Sequence, residues 1–483
     1  MAKTVRKDSA MTSLQRRTVF VSCLATAMLM LDIAVVNVAI PHIGRDLHSG
    51  LTGLQWVVDA YTVLLAAGVL TAGSLADRLG RRFVLRVGLG VFTVASVVCA
   101  TATSIATLDV ARGIQGVGAA AMFATSLAVL AEAFPERKAR NGAFAAYGAT
   151  IGASFAVGPF LGGLLTAWVG WRSIFFVNVP LGLLCLAGST QLRESSDPHP
   201  RRVDWIGQGL LVGGLFLLVL GLLRGNVVGW STPQIVAELV TAVALLIAFV
   251  VVEHVRRQPM LPLGMFRDPS FAGAQVAAFA MSASFFAIFI YLILYLQEIL
   301  HLSPIRAGLA LMPCTIVVFV VSGVSSQLLD RISHRAMISG GLGLAAVGLA
   351  AMTMAGSHSS WAALLVGELV VGVGTGLFNP ALSNVALSVV SDRESGLAAG
   401  VNDTFRQMGI AVGIAALGAV IPARDALGSG SAAGYVAGLH DALLIATVVA
   451  AAGSLATMAL IGRRSAARAR ATAGAGALAP EVA

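Results

Sequence analysis

Few side chains in this sequence could do chemistry, and those that could are set in apolar surroundings. Asp32 stands about thirteen residues into the run 18–40, five positions before Asn37. Glu368 sits inside LLVGELVVGVG, Asp403 and Arg406 inside GVNDTFRQMG, and Arg112 and Gln115 inside ARGIQGVGAA. An ionisable group in such a run is expensive and marks an ion or substrate path. No basic residue in its own run can pair with Asp32, so it reads as a proton carrier or as an anchor for a cationic substrate. Glu368 also lacks a partner in its run and is a second candidate for coupling. Arg112 follows Asp109, and Arg406 follows Asp403, by three positions, a helical spacing at which a pair can neutralise itself. Asp109 stands close to the end of its run, which makes Arg112 the less committed of the two arginines. Asp59 and Glu238 stand near run ends, within reach of water.

The remaining polar inventory points away from catalysis. The eight histidines form no metal-binding spacing, and there is no nucleophile elbow or phosphate loop. The cysteines Cys23, Cys99, Cys185 and Cys314 lie in apolar runs with no paired spacing and read as core residues. With no enzyme constellation, no cofactor or metal motif and no soluble nucleotide-binding domain, the work must be driven by an ion gradient. Isolated carboxylates, rather than clusters of carbonyl oxygens, favour protons over sodium.

The elements that position these groups are set by composition. Of 483 residues 57% are hydrophobic and 11% charged, too little polar surface to coat a water-soluble globule. About fourteen apolar stretches approach the ~20 residues a helix needs to cross a bilayer. Their continuous hydrophobicity argues for helices rather than barrel strands. The 32 Lys and Arg exceed the 23 Asp and Glu, but they gather in short loops on one side. Placing the N-terminus inside puts 25 bases in cytoplasmic segments and five (Arg45, Arg172, Arg224, Arg306 and Arg424) outside. That asymmetry predicts cytoplasmic termini and a lipid rather than a nucleic-acid partner.

The chain also repeats itself. Asp77-Arg78-Leu79-Gly80-Arg81-Arg82 has a worn echo in Asp330-Arg331-Ile332-Ser333-His334-Arg335. The echo follows the tenth apolar span rather than the eighth, so a pair of helices (204–223 and 235–253) is inserted between two units of six. This predicts an all-α membrane protein with bundles at 1–192 and 271–462, inserted helices and linkers at 193–270, and a cytoplasmic tail at 463–483.

These stretches resemble the major facilitator superfamily. GSLADRLGRR is similar to its loop motif, and LDIAVVNVAIP, ARGIQGVGAA, GATIGASFAVGPFLGG and WRSIFFVNVPLG follow in the order found in its fourteen-helix drug:proton antiporter branch. The resemblance implies two six-helix bundles plus two inserted helices. It implies a cytoplasmic gating latch built from Gly73, Asp77, Arg78, Gly80, Arg81 and Arg82, with Asp330 and Arg331 as its second copy. It implies a proton-relay role for Arg112 with Gln115. The helix carrying Gly148, Gly152, Gly158, Pro159, Gly162 and Gly163 is associated with antiport; its small residues suit close packing against a neighbour, and Pro159 adds a kink. The implied activity is proton-coupled export, by a monomer in a bacterial cell membrane, of lipophilic drugs, antibiotics or natural products, some of them cationic, from a large apolar cavity. The alternatives are a dedicated exporter or a proton-driven importer of one metabolite and, in another class, a transport-inactive receptor or scaffold, in which an unpaired mid-membrane carboxylate would have no use.

Overall fold

A computed structural model describes residues 11–197, 203–256, 258–329, 331–388, 395–422 and 431–462. Asp330 and the 463–483 tail lie outside the described residues. Among those described, every regular element is a helix. A chain this apolar has no water to satisfy its backbone inside lipid, and only a helix satisfies it within one segment.

Fourteen rods result. They are α1 (Ser13–Asp46), α2 (Leu51–Leu79), α3 (Arg81–Ala100), α4 (Ile105–Ala133), α5 (Arg137–Trp168), α6 (Ser173–Ser189), α7 (Trp205–Val228), α8 (Pro233–Val255), α9 (Pro269–Ile299), α10 (Pro304–Leu328), α11 (His334–Met352), α12 (Ala362–Ser388), α13 (Ser395–Gly418) and α14 (Ala432–Leu460). Twelve are long and apolar enough to cross a membrane; the other two are α6, interrupted at Val177, and the polar α13. Several helices outrun their apolar stretches. α1, for example, begins at a capping box in which Thr12 Oγ1 accepts from Gln15 N and Gln15 Oε1 accepts from Thr12 N.

The packing repeats with a step of eight helices. Within the first half α1 packs on α5, α2 and α3 pack on α4, and α3 packs on α6; within the second half α9 packs on α13, α10 and α11 on α12, and α11 on α14. Across the seam α2 meets α13 and α5 meets α10, a reciprocal pair. The hairpin of α7 and α8 leans through α7 on α2 and α13. It is fastened by Arg256 Nη1 to Asp204 Oδ1 at 2.7 Å and by Leu261 N donating to Glu253 Oε2 at 2.9 Å.

One end of the bundle carries the basic Asp77–Arg82 turn; the other carries the loops after α1, α3 and α5. Side-chain hydrogen bonds and an ion pair join the halves from the middle toward that second end. Thr315 Oγ1 donates to Ala156 O and Thr404 Oγ1 to Ala66 O, each at 3.0 Å. Gln55 donates to Tyr291 Oη at 2.7 Å, Gln297 to Val38 O at 2.8 Å, and Arg45 pairs with Glu298 at 2.8 Å.

Candidate functional site

Asp32 lies in the middle of α1 and is buried, but it is not alone. Arg112, two turns into α4, reaches across so that its Nη1 lies 2.5 Å from Asp32 Oδ2. Gln115 Nε2 and Asn178 Nδ2 each donate to Asp32 Oδ1 at 3.0 Å. The rest of Arg112 is also occupied: Nε donates to Val57 O at 2.8 Å, Nη1 to Gln115 Oε1 at 2.7 Å, and the guanidinium carbon lies 4.3 Å from the centre of the Tyr61 ring. Gln115 Nε2 also donates to Ser96 Oγ at 2.9 Å. The expected lone carboxylate is therefore the hub of an ionic network spanning α1, α3, α4 and α6. The reason is geometric: its cation comes from another helix, which spacing along one helix cannot reveal. The same pairing overturns self-neutralisation of Arg112 by Asp109, whose Oδ1 is left buried without a partner.

Asp32 also does not face the space between the halves. A cavity of about 30 Å³ lies there, walled by Ile33, Ala34 and Asn37 of α1, Val58 of α2, Phe155 and Pro159 of α5, Phe286 and Phe289 of α9, and Ile410 and Ile414 of α13. No carboxylate is among these residues, so the predicted anchor for a cationic substrate does not sit at this cavity. The cavity is also smaller than the large one anticipated, well below the several hundred Å³ of a drug-sized site. Asn37 Nδ2 is tied to Ile33 O at 3.2 Å.

Other buried acids, in both halves, lack such partners. Both oxygens of Glu368 are buried without a hydrogen bond, as is Asp403 Oδ2. Asp403 and Arg406 do not form an ion pair within 4.0 Å; the Arg406 guanidinium carbon instead lies 6.0 Å from the centre of the Phe286 ring. Asp59, read as water-accessible, is fully buried with both oxygens unpartnered, because α2 begins at Leu51 and places it two turns deep. Glu238 pairs with Arg224 at 2.6 Å.

α5 connects the ionic network to the seam. A Cβ on Gly162 would come within 2.9 Å of Val35 Cα, and Gly158 is pressed against Ala34, two residues from Asp32. On its other side Gly163 abuts Pro304 and Ile305 of α10, Pro159 abuts Gly308, and Gly152 would meet Phe319 at 2.9 Å. Gly148 has open space around it, so close packing belongs to the 152–163 stretch alone.

At the basic end the turn between α2 and α3 needs Gly80, whose φ of +105° suits glycine. Gly73, the other glycine of the expected latch, has nothing within 4 Å of where a Cβ would stand. Asp77 accepts from Arg81 Nη2 at 3.1 Å, and Arg81 also approaches Glu132 at 3.6 Å. The turn then grips the segment after α6: Arg81 N donates to Ser195 O and Arg82 N to Glu194 Oε1, both at 2.9 Å, and Arg82 Nη1 to Leu192 O at 3.0 Å. Arg78 and Arg331 are exposed.

Sequence reasoning missed Asn178 as a ligand of Asp32. An amide followed by Val and Pro in the middle of FFVNVPLG was the available signal.

Two packed helical halves, an apolar cavity between them and a buried charge network beside it define a membrane transport protein rather than an enzyme. The Major Facilitator Superfamily profile matches residues 22–414, and the chain belongs to that family of multi-pass transporters. It is 37% identical over 413 residues to the multidrug resistance protein Stp of Mycobacterium tuberculosis, covering 85% of this chain and 76% of that protein. It is 32% identical over 421 residues to the methylenomycin A resistance protein of Streptomyces coelicolor, covering 86% and 88% respectively. The crystal structure of a D-xylose-proton symporter superposes with a TM-score of 0.67 over 94% of this chain and 99% of that one, at 13% identity, and so shares its fold.

Proposed function

We propose that this transporter is a proton-coupled antiporter that exports lipophilic drugs, antibiotics or natural products across a bacterial cell membrane. In this reading the basic end is cytoplasmic, the protein acts as a monomer, and no cofactor besides the proton gradient is needed. The resistance functions named for its relatives support the cargo class. Loop charge supports the orientation, because positive residues are retained on the inside. The bundles at 1–192 and 271–462 rock about the central cavity, with 193–270 as an insertion. Asp77, Arg81 and Arg82, and by repeat Asp330 and Arg331, serve as the cytoplasmic latch. Release to the outside requires Arg45 to part from Glu298.

The observation that carries the antiport reading is the placement of α5, which touches α1 beside Asp32 on one face and α10 of the other half on another. Asp32 is paired with Arg112. A proton arriving on Asp32 removes the charge that Arg112 pairs with, so the two helices repack, and α5 passes that change to the seam. Gln115 and Asn178 keep the carboxyl oriented in both states. Glu368 and Asp403 are further proton-binding groups in the second half.

The test is accumulation in proteoliposomes with an imposed pH gradient, using a panel of neutral, acidic and cationic lipophilic antibiotics. Wild type concentrates at least one of them, and a protonophore abolishes the effect. Accumulation that ignores both the gradient and the protonophore rejects proton coupling, and no accumulation of any compound rejects export.

A further inference from the structure

The wall of the central cavity is aromatic and carries no acid, and the charged group beside it is a cation. Phe155 lies edge-on to Phe286 at 5.4 Å and to Phe289 at 6.0 Å. Phe286 closes a π-helical turn, Ser282–Phe286, that interrupts α9, and such turns recur at functional sites. The half-buried Arg406 places its guanidinium carbon 6.0 Å from the centre of the Phe286 ring, and Ile410, one turn further along α13, is itself a wall residue. Arg112, the arginine of the first-half network, is consumed by Asp32, whereas Arg406 makes no ion pair within 4.0 Å. Neither Arg406 nor Asp403, one turn back, is itself a wall residue; Arg406 reaches the wall at the Phe286 ring, whereas Asp403 is buried with Oδ2 unpartnered and close enough to Arg406 to feel its charge. Across the cavity Asn37 keeps its Oδ1 as an acceptor, since its Nδ2 is bonded within α1.

We infer that this cavity, as it opens, takes a flat aromatic molecule carrying an acidic or carbonyl oxygen, with rings among Phe155, Phe286 and Phe289 and oxygen toward Arg406, and that it disfavours lipophilic cations. Ring–ring contacts supply sequence-tolerant apolar binding, while a guanidinium recognises a carboxylate, enolate or phenolate through planar paired hydrogen bonds and repels an ammonium. This substrate class rests on the export reading, and it departs from the cationic anchor expected of Asp32.

The experiment uses three fluorescent probes with one ring system: 9-anthracenecarboxylate, 9-anthracenemethanol and 9-anthracenemethylammonium, titrated against the full-length protein in nanodiscs. The carboxylate and the alcohol bind at least about tenfold more tightly than the ammonium. Arg406→Gln weakens the carboxylate about tenfold and leaves the alcohol within about twofold, while Arg406→Lys recovers part of the carboxylate affinity. Tightest binding of the ammonium, unchanged carboxylate affinity in the Gln variant, or no binding of any probe overturns the inference. The wild-type order alone decides if the Gln variant does not fold. Binding needs no gradient: if the order holds but no probe is concentrated in proteoliposomes, the substrate class stands and export falls. If all three are exported yet bind equally, export stands and this inference falls.

Discussion

The two halves are built on repeated helix pairings and both bury unpartnered acids, Asp59 and Asp109 Oδ1 in the first, Glu368 and Asp403 Oδ2 in the second; what differs is the ionic network at Asp32. In the first half Asp32 is saturated by Arg112, Gln115 and Asn178. In the second, Glu368 has no partner on either oxygen and Asp403 has one oxygen without a partner. Taking a charge out of water costs several kcal/mol, which a close counter-charge with further hydrogen bonds can offset and an apolar wall cannot. A repeat that duplicates backbone packing therefore need not duplicate chemistry. The first half holds a buried ion pair between Asp32 and Arg112. The second holds Glu368 with no partner, and Asp403 near Arg406 but not in an ion pair with it.

Breaking the network from the cation side gives the largest effect. Arg112→Gln strands Asp32 as an uncompensated buried charge, a class of change that costs about 3–5 kcal/mol. The variant is expected to lose most of its thermal stability margin and its transport, whereas Arg112→Gln combined with Asp32→Asn recovers the stability but not the transport. Thermal unfolding and uptake assays on the two variants decide this, and equal stability of the single and double variants would mean that the pair is not coupled.

A smaller effect is expected at the basic turn. Asp77 and Arg81 are 40% and 25% exposed, so their ion pair contributes at most about 1 kcal/mol. Asp77→Asn is expected to insert at normal abundance and slow transport several-fold, with Arg86→Gln, further into α3, slowing it less. Equal, near-normal rates in both variants would reduce the turn to a topology signal.

Much of this contrast was legible in the sequence, and the rest was hidden for identifiable reasons. Asp32, Arg112, Gln115, Glu368, Asp403 and Arg406 stand out because charge in an apolar run is costly, and the continuous runs dictate helices. The pairings were not legible, because i,i+3 spacing tests only neighbours on one helix. Arg112 passes over Asp109 for a carboxylate 80 positions away. Asp59 was misjudged because hydropathy places a span end less accurately than the helix itself does. Gly80 stands at positive φ in the turn, but Gly73 and Gly148 look in sequence like the close-packed glycines around them and have nothing within 4 Å of where a Cβ would stand.

In the proposed cycle Asp32 accepts the transported proton by exchanging Arg112 for it. The most direct test is to record, in one proteoliposome preparation with a pH-sensitive dye inside, proton movement triggered by the substrate the wild type concentrates best. Asp32→Asn is expected to retain substrate exchange down its gradient while triggering no proton movement, and Glu368→Gln to retain both to a measurable degree. Substrate-triggered proton movement in Asp32→Asn equal to that of the wild type, with loss of that movement in Glu368→Gln, would contradict the claim and assign the proton to the second half.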